Sequence, residues 1–107
     1  MVTKSYILIW SADAVWRLNN IYNWYAEYES IKRAKKVISS IKSVARNITK
    51  GPYKHTECFE VENPTPFIRK ALVAKTYWIV YEVEEKRIVI LDIIHGAMNP
   101  ENIKNIF

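Results

Sequence analysis

Residues 68–95 read IRKALVAKTYWIVYEVEEKRIVILDIIH. Three runs rich in β-branched and aromatic residues, Ile68 to Ala74, Tyr77 to Glu84 and Ile88 to His95, are separated by Lys75-Thr76 and by Glu85-Lys86-Arg87. Strand-forming runs broken by short polar turns specify an antiparallel meander. Side chains alternate along a strand, so the second turn can be tested against burial. A three-residue turn places Glu82, Glu84 and Asp92 on one face. Tyr77, Ile79, Tyr81, Val83, Val89, Leu91, Ile93 and His95 then share the other. A two-residue turn would set Asp92 among the apolar side chains, so the longer turn is expected.

Upstream of the meander, Pro64 and Pro66 force an extended or turning path, and Phe59 with Val61 is a candidate for a short strand. Gly51-Pro52 ends a helix, with glycine at the C-terminal cap position and proline just beyond. Along that helix Ile31, Ala34, Ile38, Ile41, Ala45 and Ile48 recur at steps of three and four, a narrow apolar seam. Before a break near Glu29-Ser30, a first helix is expected from about Ala12 to Tyr28. Ser11 is its N-cap, Asp13 suits the positive end of its dipole, and Ala14, Leu18, Ile21, Tyr22 and Tyr25 form its apolar stripe. So short a connection makes the two helices an αα-hairpin. Tyr6 to Trp10 is read as a strand buried on both faces. The fold class is therefore α+β, one domain over residues 1–107, with an N-terminal strand, an αα-hairpin and an antiparallel β-meander of three to four strands. Helices on one side of the sheet leave the other side partly open as a binding surface.

Composition limits the function classes. A chain of 107 residues, half hydrophobic and a quarter charged, has one packed core and is neither disordered nor membrane-embedded. Cys58 is the single cysteine, which rules out an intrachain disulfide, and no Cys-x-x-Cys or His/Cys cluster is present. No cofactor and no metal are expected. Met1 to Trp10 is too short and too mixed for a signal peptide or a spanning helix, so a cytoplasmic protein without membrane contact is expected. The net charge is +5. Lys32, Arg33, Lys35, Lys36, Lys42, Arg46, Lys50 and Lys54 fall between Ser30 and Thr56 with no acid among them, which favours an acidic partner.

These residues resemble a known family. The opening from Tyr6 through Trp10-Ser11 to Ala14, with Leu18 and Ile21-Tyr22 following, is similar to the start of RelE/ParE toxins of type II toxin–antitoxin, or plasmid stabilisation, systems. Ile68-Arg69-Lys70, Tyr77 to Val83 and Ile88 to His95 resemble the terminal meander of that family, and Asn99-Pro100 the tail of its ParE-like members. The resemblance implies a growth-inhibiting toxin held inert by a cognate antitoxin, with either DNA gyrase or the ribosome with its mRNA as target. Ribonucleolytic members carry an arginine directly after the first tyrosine of the meander. Here that position is Trp78, which can stack on a base but cannot neutralise a phosphate. The ParE-like, gyrase-inhibiting branch is therefore favoured. The alternatives are a ribosome-dependent mRNA endoribonuclease and a non-toxic relic that only binds antitoxin or RNA.

For RNA cleavage, Arg69, Lys70 and Lys75 are the candidate cations, and His95 and Tyr77 the candidate proton-handling groups, with Tyr81 as an alternative to Tyr77. Each has a structural reading beside it: a strand-end imidazole satisfied by the backbone for His95, and core packing for Tyr77 and Tyr81. Lys32, Lys35, Lys36, Lys42 and Arg46, with Trp78, are candidates for binding the target or nucleic acid, although a lysine-rich helix face is commonly just solvated. Trp16, Trp24 and Tyr28 fall off the first helix's seam and are candidates for antitoxin contact, for a homodimer seam, or for packing against the tail, where Ile103, Ile106 and Phe107 form a small apolar set.

Overall fold

The computed structural model describes residues 6–96. Strand β1 (Ile7–Trp10) leads into helices α1 (Ala12–Tyr28) and α2 (Ile31–Ile48), a short 3-10 turn at Pro52–Lys54, and strands β2 (Thr56–Glu57), β3 (Ile68–Val73), β4 (Tyr77–Val83) and β5 (Arg87–His95). The sheet order is β1-β5-β4-β3-β2, with β1 parallel to β5 and every other pair antiparallel. This is the expected α+β fold.

Both helices start on serine caps, where the Ser11 and Ser30 side chains accept hydrogen bonds from the Ala14 and Arg33 amides. Ala14, Leu18 and Ile21 of α1 and Ile41, Ala45 and Ile48 of α2 close over Ala71, Val73, Ile79, Tyr81, Val83, Ile88, Ile90 and Ile93 of the sheet. Tyr81 is fully buried and donates its hydroxyl proton to the Pro52 carbonyl at 2.5 Å, which ties the end of the helical hairpin to the middle of β4. On the far face, Ile68, Val80 and Ile94 are covered by Cys58 and Val61, with Trp78 and Leu91 at the margin.

Four expectations are corrected. The β4–β5 turn has two residues, Glu85 and Lys86, since the Glu84 amide donates to the Arg87 carbonyl at 2.8 Å. Asp92 nevertheless escapes the apolar set because a bulge follows: Tyr81 pairs with Ile90 but Val80 with Asp92, so one extra residue resets the alternation. Ile88 and Ile90, not Val89 and Leu91, therefore face the helices on the turn side of the bulge. Strand β1 is an edge strand with Ile7 and Ile9 exposed, and only its other side, Leu8 and Trp10, packs on the core. Pairing with β3 falls on Thr56 and Glu57 instead of Phe59 and Val61. Val61 serves as a buried loop residue, and Phe59 is exposed. Finally, Thr49 caps α2 by bonding back to the Arg46 carbonyl at 2.6 Å, and Gly51 opens the 3-10 turn without left-handed geometry.

The β3–β4 turn is strained. Ala74 (φ 50°) and Lys75 (φ 60°) both take left-handed conformations that favour glycine or asparagine.

Candidate functional site

Helix α1 crosses the end of β5, and the two meet through an ion pair. Arg17 donates from Nε to Asp92 Oδ1 at 3.1 Å and from Nη2 to Oδ2 at 3.2 Å, while the Ile93 amide donates to Oδ1 at 2.7 Å. The bulge presents the Asp92 carboxylate to the helix, and the side chain is nearly buried. Beside this bond lies a groove of about 330 Å³ lined by Arg17, Asn20, Ile21, Trp24, Tyr25, Tyr77, Ile93 and His95.

Within the groove Tyr77 and His95 sit edge to face, 5.5 Å between ring centroids, opposite each other in the β4–β5 ladder. Tyr77 donates its hydroxyl proton to the Tyr25 hydroxyl at 3.3 Å. Burial and then this bond hold the Tyr77 phenol far above its ordinary range, so it stays protonated and is no general base near neutrality. Trp24 packs on Tyr25 and on Tyr28, while Trp16 lies about 12 Å further toward the start of α1. All of Trp16, Trp24 and Tyr28 are more than half exposed, as their positions off the seam predict.

The five candidate catalytic residues do not form one cluster. Lys75 lies on the strained turn beside Tyr77, and the Gly96 amide bonds the Thr76 carbonyl at 2.6 Å, so Lys75, Tyr77 and His95 share one end of the sheet. Arg69 pairs in register with Tyr81, four residues along β4 from Tyr77, a separation of roughly 13 Å. Its guanidinium is engaged internally. It donates to the Pro66 carbonyl at 2.9 Å and the His55 carbonyl at 2.7 Å, stacks over Tyr53 at 4.9 Å and lies 3.8 Å from Glu57. Lys70 is paired with Glu60 and sits 4.7 Å over the Trp78 ring, on the face away from the helices. Burial opposes the Glu60 charge, yet the Lys70 ammonium and neighbouring hydrogen bonds leave its pKa lowered. Burial and the bond to Glu60 push the Cys58 thiol up to about 11, so it is no nucleophile at neutral pH.

The candidate binding cations are better grouped. Lys35, Lys42 and Arg46 line a groove of about 280 Å³ with Tyr22, Ile38 and Ser39. Lys36 borders a separate hollow with Arg33, Tyr25 and Tyr77, and Lys32 is exposed one turn earlier on the helix. Trp78 belongs to the opposite face of the sheet and is not part of either group. Sequence reasoning does not mark Arg17, Asn20 or Tyr25 as site residues. Tyr25 is read there as part of the apolar stripe. Arg17 and Asn20 lie four residues before Ile21 and Trp24 respectively, on one side of the helix, a spacing that is the signal that could have found them. No helix among the described residues is long and apolar enough to cross a membrane, and no group of three or more His, Cys, Asp or Glu there could hold a metal ion. The tail motif Asn99-Pro100 and the apolar set Ile103, Ile106 and Phe107 lie outside the described residues.

The model of the family described as the ParE toxin of type II toxin–antitoxin systems, parDE, matches residues 8–100. No curated protein matches the chain. Among solved structures, the chromosomal ParDE toxin–antitoxin system from P. aeruginosa superposes with a TM-score of 0.71 at 19% identity, covering 86% of this chain and 97% of that one. The toxin–antitoxin complex RelBE2 from Mycobacterium tuberculosis superposes with a TM-score of 0.66 at 15% identity, covering 91% and 98%.

Proposed function

The chain belongs to the ParE toxin family of type II toxin–antitoxin systems, and on that premise we propose that it arrests growth by binding DNA gyrase rather than by cleaving RNA, and that a cognate antitoxin neutralises it. One observation carries the choice of target. Phosphoryl chemistry needs cations free to meet the charge that develops, and Arg69 and Lys70 are already held by Pro66, His55, Glu57 and Glu60. Tyr77 is kept protonated, and Trp78 adds no charge. Lys75 is the one candidate cation left beside Tyr77 and His95, and without Arg69 and Lys70 it supports a binding surface better than a complete cleavage site.

The aromatic groove between α1 and the end of β5 is the part of that surface suited to the antitoxin. Trp24, Tyr25 and Tyr77 offer large rings, and Arg17 and His95 offer polar rims, the mixture typical of interface anchors. The ribonuclease reading draws on Tyr77 and His95 meeting in this same groove.

Tightly controlled expression of the chain, alone and with the neighbouring open reading frame, tests the toxin reading. Arrest relieved by the neighbour is expected, and unimpaired growth with soluble, folded protein would leave a non-toxic relic. Supercoiling by purified gyrase then tests the target: inhibition by the chain is expected. Codon-phased cuts in translated messages with gyrase unaffected would return the RNA-cleaving alternative.

A further inference from the structure

Helix α2 carries Lys32, Arg33, Lys35, Lys36, Lys42 and Arg46 and no acidic residue. Around the sheet the fold matches cations with carboxylates: Arg17 with Asp92, Arg69 with Glu57, Lys70 with Glu60, Arg87 with Glu84. On α2 only Arg33 has such a partner, Glu29 at 3.9 Å. Among the described residues, Lys32, Lys35, Lys36, Lys42 and Arg46 make no ion pair. All five are exposed.

Their placement is linear. At about 100° and 1.5 Å per residue, Lys35, Lys42 and Arg46 fall in one narrow stripe, with rises of about 10 Å and 6 Å between successive members. Lys32 and Lys36 form its flank. The stripe borders the groove containing Tyr22, Ile38 and Ser39. A straight helix of 18 residues is about 27 Å long and presents these charges as a rigid row.

A rigid row of fixed cations suits a rigid row of anions. Duplex DNA carries one phosphate charge per roughly 1.7 Å of its axis. Proteins that grip single strands add aromatic platforms for the bases. Among the described residues Tyr22 is the one aromatic side chain lining the groove of Lys35, Lys42 and Arg46. Trp10 lines the adjoining hollow that Lys42 also borders, and Tyr25 and Tyr77 line the hollow beside Lys36. Trp16, Trp24 and Tyr28 belong to other parts of α1, so the stripe itself has no row of aromatic platforms among the described residues. We propose that the exposed face of α2 binds the phosphate backbone of duplex DNA without reading its sequence. The proposal deepens the gyrase reading and rests on it for its setting: a toxin engaged with gyrase lies beside the duplex that gyrase holds, and α2 would clamp the two together.

The test is fluorescence anisotropy of the full chain with a short labelled duplex, titrated with salt, with the corresponding single strand and polyglutamate as competitors. With three phosphates neutralised by Lys35, Lys42 and Arg46, affinity should fall roughly 40-fold from about 50 to about 200 mM salt. The variant K35Q/K42Q/R46Q replaces exposed residues with good helix formers, so its circular dichroism should be unchanged. Its duplex affinity should drop at least about tenfold and its salt slope flatten by about 2 to 3. Absent duplex binding, an unaltered slope in the folded variant, or tighter binding of single strand or polyglutamate would each overturn the proposal. Gyrase supercoiling, measured with the same proteins, separates the two readings. A chain that binds duplex through α2 but leaves gyrase untouched supports this face and refutes the gyrase target. Inhibition of gyrase by a chain with no affinity for DNA does the reverse.

Discussion

Replacing Arg17 by methionine isolates the bond that fastens α1 to the bulge in β5. Asp92 is 6% exposed, and its carboxylate takes two hydrogen bonds from Arg17 and one from the Ile93 amide. Removing one partner of a fully buried pair costs roughly 3–5 kcal/mol, because the other charge is stranded. The Arg17 side chain is 31% exposed, so water screens part of that loss. About 2–3 kcal/mol is expected for R17M, or a fall in Tm on the order of 10–20 °C. D92N keeps an oxygen for the Ile93 amide and should cost less, about 1–2 kcal/mol. Combining the two removes no further charged bond, so R17M/D92N should be about as unstable as R17M alone, a coupling of about 1–2 kcal/mol. Urea unfolding followed by tryptophan fluorescence measures all four proteins. Single costs that add in the double variant to within about 0.3–0.5 kcal/mol would show that the geometry carries no coupling energy, and the reasoning would fail.

Three further outcomes are expected. Lys75 holds φ 60°, where an L-residue is disfavoured by about 1–2 kcal/mol, so K75G should raise the denaturation midpoint by an amount near 1 kcal/mol; a lowered midpoint would contradict the strained turn. Y81F leaves the Pro52 carbonyl without its buried donor and should cost about 1–3 kcal/mol in a thermal melt, whereas a change under about 0.5 kcal/mol would mean that the bond contributes little. Stability should also fall with acidification in two windows. Burial, and then Lys54, lower the His55 pKa below 6.5, so the unfolded chain takes up a proton first and stability declines as pH drops below that value. Glu60, lowered below 4.5, contributes stability that is present above 4.5 and lost as pH falls through its folded value. A denaturation midpoint constant from about pH 7 to pH 5 would refute the first, and one constant from about pH 5 to pH 3 the second.

The helices were legible because both carry their own signals. Ser11 marks the start of the first, the break at Glu29-Ser30 separates the two, and the apolar spacing from Ile31 to Ile48 fits one face of a helix. That Ser30 caps the second came from the structure. Strand existence was equally plain from Tyr77 to His95. Register was not, because the bulge at Leu91 depends on how β5 accommodates β4 and the adjoining Ser11, whose hydroxyl donates to the Leu91 carbonyl at 2.9 Å. A pattern with strict alternation has no place for such a residue. Nor does local sequence say that β1 would be left at the edge, since Ile7-Leu8-Ile9-Trp10 is apolar on both sides and only the sheet order exposes one of them.

Residue type identified the cations but not their engagements. Arg69 and Lys70 look alike on paper to Lys35 and Lys42. The loop from Tyr53 to Glu60 folds back onto the first two and supplies carbonyls and carboxylates, while no segment covers the latter among the described residues. That difference arises from long-range packing, which neither periodicity nor charge spacing encodes. The basic groove, by contrast, follows from the sequence, because helical spacing alone brings Lys35, Lys42 and Arg46 to one side.

The parallel pairing of β1 with β5 has a consequence for the order in which the molecule becomes itself. Ile7 to Trp10 can dock only on Arg87 to Ile90, and Ser11 bonds Leu91 across 80 residues of chain. During synthesis at roughly 5–20 residues per second, the first strand emerges seconds before its partner exists. The helical hairpin can close early through local contacts, but the sheet that supports it stays incomplete until β5 is made, and closing so long a loop is a slow step. A nascent chain therefore cannot display the Tyr77–His95 groove while still mostly on the ribosome. A partner that reads this groove can therefore bind only after residues 77–95 have left the ribosome and β4 and β5 have paired.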